Sequence, residues 1–104
     1  MSAPRFDELI HAPTRLSLVS LLAATDWAEF RYLRDHLGLS DSALSKQIST
    51  LEQADYVEVR KSFVGKRPRT SVKLSRRGRA AFDGHVAALQ QIVAQAGTSV
   101  LPGT

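Results

Sequence analysis

The sequence contains no cysteine, one tryptophan, one methionine and no long apolar run. The absence of cysteine excludes disulfide bonds, thiolate metal sites and thiol-based redox switches. The most apolar segment, residues 18–24 (LVSLLAA), is much shorter than the roughly 20 residues that a membrane-spanning helix needs. The N-terminal residues also lack the apolar core of a signal peptide. We therefore expect a cytoplasmic protein that does not contact a membrane.

Negative charge is missing from one stretch of the chain. Residues 60–79 hold nine of the fourteen lysines and arginines, and all ten acidic residues lie outside this stretch. Crowded cations repel one another unless they stay solvated or meet an anion. Charge on a sheet edge also prevents aggregation, but one or two lysines are enough for that purpose. The charge distribution therefore predicts contact with a nucleic acid.

The 104 residues are enough for one domain with a small core. We predict that this domain covers residues 5–96. Residues 97–104 are small or apolar and contain proline and glycine, so we expect a disordered tail there.

The spacing of apolar residues predicts four helices before residue 55. A proline disfavours helical geometry in the residue before it but suits the first turn of a helix, so Pro13 should end one short helix and begin the next. Asp26 is expected to cap the third helix, which Gly38 should end, with a brief extended piece at Trp27. Ser40 should cap the fourth helix.

After Tyr56 the apolar period changes to two residues, which predicts an antiparallel β-hairpin that ends near Leu74. Ser75 should then cap a long final helix. Its apolar residues step by four, three and four positions, which is the pattern of a helix seam: Phe82, Val86, Leu89 and Val93.

Residues 29–57 have the pattern of a helix-turn-helix, because two short amphipathic helices are joined by a glycine-containing turn. With Leu44 and Ile48 buried, the face of the second helix that points outward is small, polar and cationic. Such a face can enter a DNA major groove, although any solvated helix can also expose serine and lysine. The outward residues are Ser42, Lys46, Ser49 and Gln53, with Ala43 and Thr50 beside them.

The tip of the hairpin adds a second cationic element. Lys66, Arg67 and Arg69 lie at or beside the tip, and Pro68 lacks an N–H group, which suits an edge or a loop. Arginines on a narrow protruding loop can reach a minor groove or its phosphates.

Three segments, taken together, resemble the winged helix-turn-helix transcriptional regulators of the MarR and ArsR type. They are SDSALSKQISTLE from Ser40, GKRPRT from Gly65 and LSRRGRAAF from Leu74, and the similarity covers about residues 5–95. Asp55 stands where these relatives usually have glycine, and aspartate tolerates the left-handed backbone better than most residues. The resemblance implies a mainly α fold with a β-hairpin wing.

The resemblance also implies a homodimer that forms through the first and last helices. The apolar stripe of the last helix agrees, because a monomer of this size would expose it, although the stripe could instead pack on the chain's own core. The predicted interface consists of Phe6, Leu9, Ile10, Phe82, Val86, Leu89, Ile92 and Val93.

We therefore predict a sequence-specific DNA-binding transcriptional regulator, a homodimeric repressor of a pseudo-palindromic operator in double-stranded DNA. The recognition helix, about residues 40–54, would lie in the major groove, and the wing, about residues 63–70, in or beside the minor groove. Bases would be read by Ser42, Ala43, Lys46 and Ser49, while Ser40, Ser45 and Gln47 would hold the DNA backbone. Arg67 and Arg69 would contact the minor groove, and the phosphates would be neutralised by Lys66, Lys73, Arg76 and Arg77.

Two other functions remain open: a protein interaction module that uses the same surface and, ranked lower, RNA binding, since only Phe63 is placed to stack on a base beside the basic tip. No nucleophile motif or phosphate-binding glycine loop is present, so we predict neither an enzyme nor a cofactor.

We predict no metal site either. Metal-sensing relatives can carry ligands on the last helix, but Asp83 and His85 should face different directions there. His11 and His36 have no partner at ligand spacing. A small-molecule effector could enter a cleft between the dimerising helices and the DNA-binding core, and the sequence does not identify it.

Overall fold

A computed structural model describes residues 3–97 of the chain. Most of the predicted tail lies outside these residues. The described part contains five helices and a three-stranded antiparallel sheet, in which residues 67–74 form the central strand between residues 28–29 and residues 57–64. This confirms a mainly α fold with a β-hairpin. No helix within residues 3–97 has the length and apolar character to cross a bilayer. The elements are α1 (Glu8–His11), α2 (Pro13–Ala23), β1 (Ala28–Glu29), α3 (Phe30–Leu37), α4 (Asp41–Gln53), β2 (Val57–Val64), β3 (Arg67–Leu74) and α5 (Arg76–Gln95).

Local residue chemistry sets most of the element boundaries. Pro13 occupies the first turn of α2, where its missing N–H costs nothing. The Ser40 hydroxyl accepts a hydrogen bond from the Ala43 N–H at 3.1 Å at the start of α4. Gly38 ends α3 with φ of 66°, and Asp55 follows α4 with φ of 62°. Both residues adopt the left-handed conformation that the sequence predicts for them.

The prediction that Asp26 caps the third helix is wrong. The N-cap of α3 is Glu29, which makes no side-chain capping bond. Strand β1, which follows directly after the predicted extended piece at Trp27, explains the difference, since its Ala28 and Glu29 pair with Val72 and Ser71 of β3 and delay the start of the helix. The Asp26 carboxylate instead lies 3.4 Å from Lys73 Nζ.

The core lies between the sheet and helices α2 to α4. Leu44, Ile48 and Leu51 place one side of α4 in this core, as their spacing predicts. Because that side is fixed by burial, the opposite side of α4 must face solvent. The other buried core residues are Leu18, Val19, Leu22, Ala28, Leu33, Val57, Val72 and Leu74.

Helix α5 approaches the rest of the chain through small residues. Gly78, Gly84 and Ala88 are buried on it, together with His85. A Cβ at Gly78 would lie 2.0 Å from the carbonyl oxygen of Tyr56, so only glycine fits there. The apolar side chains of the predicted stripe are only half-buried on this helix.

The N-terminal strap, residues 3–7, runs along α5. The Arg5 N–H donates to the Gly84 carbonyl at 2.9 Å. The Asp7 N–H donates to Nδ1 of His85 at 2.9 Å, and the Tyr56 hydroxyl donates to the Asp7 carboxylate. The strap therefore connects the start of the hairpin to the middle of α5.

His85 is fully buried at this junction. Its Nε2 lies 3.1 Å from Nδ1 of His11, so a neutral His85 can accept from the strap and donate to His11. Burial lowers the pKa of His85, and the nearby His11 lowers it further, while the carboxylates of Asp7 and Glu8 act in the opposite direction. Burial also raises the pKa of Tyr56, and its hydrogen bond to Asp7 adds to this effect.

Candidate nucleic-acid interface

The outward side of α4 has the composition that the sequence predicts. Ser42, Lys46 and Ser49 are exposed, and Ala43 is half-buried beside them. Lys46 makes no ion pair with any residue of the described range 3–97. Lys46 can therefore meet an anionic partner without first breaking an ion pair within that range.

The residues predicted to hold the DNA backbone differ in their availability. Ser45 is exposed, whereas the Ser40 hydroxyl already caps α4. Gln47 is half-buried, and its Oε1 accepts a hydrogen bond from Arg15 Nη1 at 3.0 Å. This bond fixes α4 relative to α2 and leaves the amide NH₂ group of Gln47 as its available donor.

A groove joins α4 to the hairpin. Its walls are formed by Ser45 and Ser49 from α4 and by Val59, Lys61 and Thr70 from the two strands. The polar side of the helix and one face of the hairpin therefore border the same open space. Two carboxylates lie at the ends of α4 along this groove, Asp41 and Glu52. Asp41 is paired with Arg34 at 2.9 Å.

The hairpin forms a projecting wing, which we define as residues 60–71. A two-residue turn closes it, and of the two turn residues only Gly65 has a positive φ, 65°, as in a type II′ turn. At the tip, Lys66 and Arg67 are exposed and make no ion pair within residues 3–97. Their charges are therefore available to a partner.

Two cations predicted to contact DNA are already paired within the chain. Arg69 Nη1 lies 3.2 Å from Oε1 of Glu29, and Lys73 contacts Asp26. Both pairs join the wing strand β3 to the segment around β1. Because the pairs are partly exposed, they are weak and leave both cations able to exchange partners.

The first turn of α5 carries Arg76 and Arg77, and both are exposed. Cations are unfavourable at a helix N-terminus, where the helix dipole favours an anion. Backbone N–H groups at this position can bind a phosphate, and the two arginines would add to that attraction. The start of α5 therefore has the chemistry of a phosphate contact.

Two further residues of the wing were not selected from the sequence. Lys61 lies on the face of the hairpin that borders the groove, and Arg60 lies over the ring of Trp27 at 4.2 Å from its centroid. Strand alternation within the basic segment could have identified Lys61. The Arg60–Trp27 contact depends on the pairing of β1 with β3, and this pairing was not predicted from the sequence.

The sequence also missed the His11–His85 contact, since the two residues are 74 positions apart. Among the described residues, no group of three or more potential metal ligands lies close together.

The residues predicted for a dimer interface divide into three groups. Ile10 is fully buried within the chain, so its side chain cannot reach a partner. Leu9 and Phe82 are partly buried against the core. The remaining residues are half-buried or exposed along α5 and the strap: Phe6, Val86, Leu89, Ile92 and Val93.

A helix-turn-helix followed by a two-stranded wing and a long final helix defines the winged-helix class of domains. A family model described as a winged helix DNA-binding domain matches residues 14–93. The chain belongs to this family, a family of DNA-binding domains and not of enzymes.

Similar proteins agree with this assignment. The chain is 29% identical over 85 residues to an uncharacterised protein of Methanocaldococcus jannaschii, with 82% of this chain and 92% of that protein covered. The solved structure of a transcriptional regulator homologue from Pyrococcus horikoshii OT3 has a TM-score of 0.81 at 23% identity and covers 88% of this chain and 91% of that one. The structure of a MarR family transcriptional regulator from Silicibacter pomeroyi has a TM-score of 0.64 at 20% identity and covers 90% of this chain and 62% of that one. The predicted winged-helix fold and its membership of a DNA-binding family are confirmed.

Proposed function

We propose that the chain is a homodimeric repressor that reads an inverted-repeat operator in duplex DNA. Each protomer places α4 in a major groove through Ser42, Ala43, Lys46 and Ser49, and its wing along the adjacent minor groove. Occupancy of a promoter by such a dimer would exclude other proteins from it. The cytoplasmic location stays a prediction.

The observation that carries this proposal is the groove that α4 shares with the wing. Since Ser45 and Ser49 border the same space as Lys61, one approaching surface can touch both elements. A duplex has this form, because a major groove lies next to a minor groove with phosphates between them. The paired carboxylate of Asp41 limits repulsion at one end of the groove.

The dimer is supported by the C-terminal half of α5. Its buried positions His85 and Ala88 continue in helical spacing to Ile92, which is 51% exposed. Phe6 lies beside this helix, with its ring centroid 4.7 Å from that of His85. A second copy would cover these apolar groups and place two recognition helices about one DNA turn apart.

The proposal extends to a site for a small-molecule effector. A cavity of about 640 Å³ lies between the strap and the start of α5, and its lining includes Arg5, Leu9, Tyr56 and Arg77. This volume falls within the range of small-molecule pockets. A ligand there would act on Arg77, one of the proposed phosphate contacts.

Selection from a random duplex library at physiological salt tests the proposal. We expect an enriched inverted repeat with half-sites about one helical turn apart. Failure to enrich any sequence, together with duplex affinity that does not change with salt, would favour a protein interaction module.

Two matched lysine variants test the assignment of contacts. Lys66→Ala should weaken binding to all sequences alike and lower the slope of log affinity against log salt by about 1 per protomer. Lys46→Ala should also relax the sequence preference, because a good base contact contributes about 1–3 kcal/mol of discrimination. An unchanged preference in Lys46→Ala would refute its role in base reading.

A further inference from the structure

The tip of the wing carries two large apolar side chains that have no cover among the described residues. Phe63 is 73% exposed and Val64 is 54% exposed. Charged side chains normally protect edge strands from aggregation, and exposed apolar side chains at the tip weaken this protection. Their position between Lys61 and Lys66 places them within the most basic part of the chain.

The face on which Phe63 lies follows from the strand pairing. Side chains alternate along a strand, so Phe63 shares a face with Val59 and Lys61, which border the groove with α4. Phe63 pairs across the hairpin with Pro68, while Val64 and Arg67 form the next pair on the opposite face. The Phe63 ring therefore lies on the side of the wing that faces the proposed duplex, beyond Lys61.

The dimensions of DNA decide which part of the wing can enter the minor groove. A minor groove is about 6 Å wide, whereas the two strands of a hairpin are about 4.8 Å apart before their side chains are added. The hairpin backbone therefore stays outside an undistorted groove, and only side chains at the tip can enter. Proteins that bend DNA from the minor groove insert apolar side chains, phenylalanine among them, between base steps.

We propose that Phe63 is an apolar wedge that enters the minor groove beside each half-site, separates a base step and bends the duplex. This inference rests on the proposed function. Lys66 neutralises a flanking phosphate, and Arg67, paired with Val64 on the opposite face of the tip, stays the predicted minor-groove contact. Flexible pyrimidine–purine steps should be favoured where the wedge enters, since they unstack at the lowest cost.

The test compares the variants Phe63→Ala, Phe63→Leu and Lys66→Ala on the inverted-repeat duplex recovered by selection, with dyes at its two ends. Affinity is measured across a salt series, and the bend is measured by energy transfer between the dyes. Phe63 is largely exposed, so the two substitutions at Phe63 should leave the fold intact. Thermal melting followed by circular dichroism checks this.

We expect Phe63→Ala to bind about 10-fold more weakly, which is within the range for loss of an aromatic stack on a base. Its salt slope should stay unchanged and the bend should decrease, because no phosphate contact is removed. Phe63→Leu should retain most of the bend. Lys66→Ala should show the reverse pattern, with a smaller salt slope and the bend retained.

Wild-type affinity and bend in Phe63→Ala would overturn the wedge while leaving the DNA-binding function in place. A change in oligomeric state on Phe63→Ala would also overturn it, in favour of contact with a second copy. If the wild-type chain binds no duplex, the proposed function itself fails, and the two failures are therefore distinguishable.

Discussion

Helix α5 approaches the start of the hairpin so closely that replacing Gly78 with alanine should destabilise the fold. In a solvent-exposed helix, replacing glycine with alanine stabilises the fold by about 1 kcal/mol. At Gly78, however, the new Cβ would lie 2.0 Å from Tyr56 O and 2.9 Å from Leu74 Cδ1. Nonbonded heavy atoms pack at about 3.5 Å, so α5 would have to move by about 1 Å to separate the new Cβ from the Tyr56 oxygen.

The cost of Gly78→Ala follows from that displacement. Overpacking of this kind costs about 1–3 kcal/mol. The same Tyr56 carbonyl accepts the Ser75 N–H at 2.9 Å, and loss of this bond would cost about 1 kcal/mol more. After the gain in helix propensity of about 1 kcal/mol, we expect the free energy of unfolding to fall by about 1–3 kcal/mol, which lowers Tm by roughly 5–20 °C.

Gly84→Ala is the matched control, because it makes the same substitution at a buried glycine of the same helix. A Cβ there would lie 3.1 Å from Ala3 O, and the strap can shift by a few tenths of an ångström. We expect its stability to stay within about 1 kcal/mol of wild type. Urea unfolding at one fixed protein concentration measures both variants. Equal stability of the two variants would refute the argument.

Two further predictions concern stability. The pKa of His85 is lower in the folded protein than in the unfolded chain, so protonation of His85 favours the unfolded state. The contribution of His85 to the free energy of unfolding should therefore be constant above pH ~6.5 and fall below it. His85→Asn keeps an acceptor for the Asp7 N–H and should reduce the loss of stability between pH 7.5 and pH 5.5, measured by urea unfolding. A loss equal to that of the wild type would contradict this prediction. In the same assay, Ser75→Ala should lower the free energy of unfolding by about 2 kcal/mol and Ser40→Ala by about 1 kcal/mol. The difference arises because the Ser75 hydroxyl also donates to Asp55 O at 2.6 Å. Equal losses in the two variants would contradict this reasoning.

The helices and the hairpin could be predicted because their signals are local. Ser40 and Ser75 lie next to the N–H groups that they cap, and the period of two from Val57 onward is continuous along the strand. Strand β1 has only two residues, which is too short for any alternation to be visible. Its existence depends on pairing with β3, more than 40 positions later in the chain.

The candidate site was predictable in composition but not in its internal contacts. The sequence placed Lys46 and Ser49 on an exposed side of α4 because burial of Leu44 and Ile48 fixes that side. It could not reveal that Arg69 is paired with Glu29, since the pair depends on how the short strand β1 docks. The predicted base and phosphate contacts themselves stay predictions.

The stacking of Arg60 on Trp27 has a practical consequence. This indole is the only tryptophan of the chain, and it lies 4.2 Å from a guanidinium that belongs to the wing. A cation over an indole is held by the electrostatic field of the ring, so displacement of the wing changes the surroundings of the fluorophore. Intrinsic emission from this single site can therefore follow wing movement in the unlabelled protein.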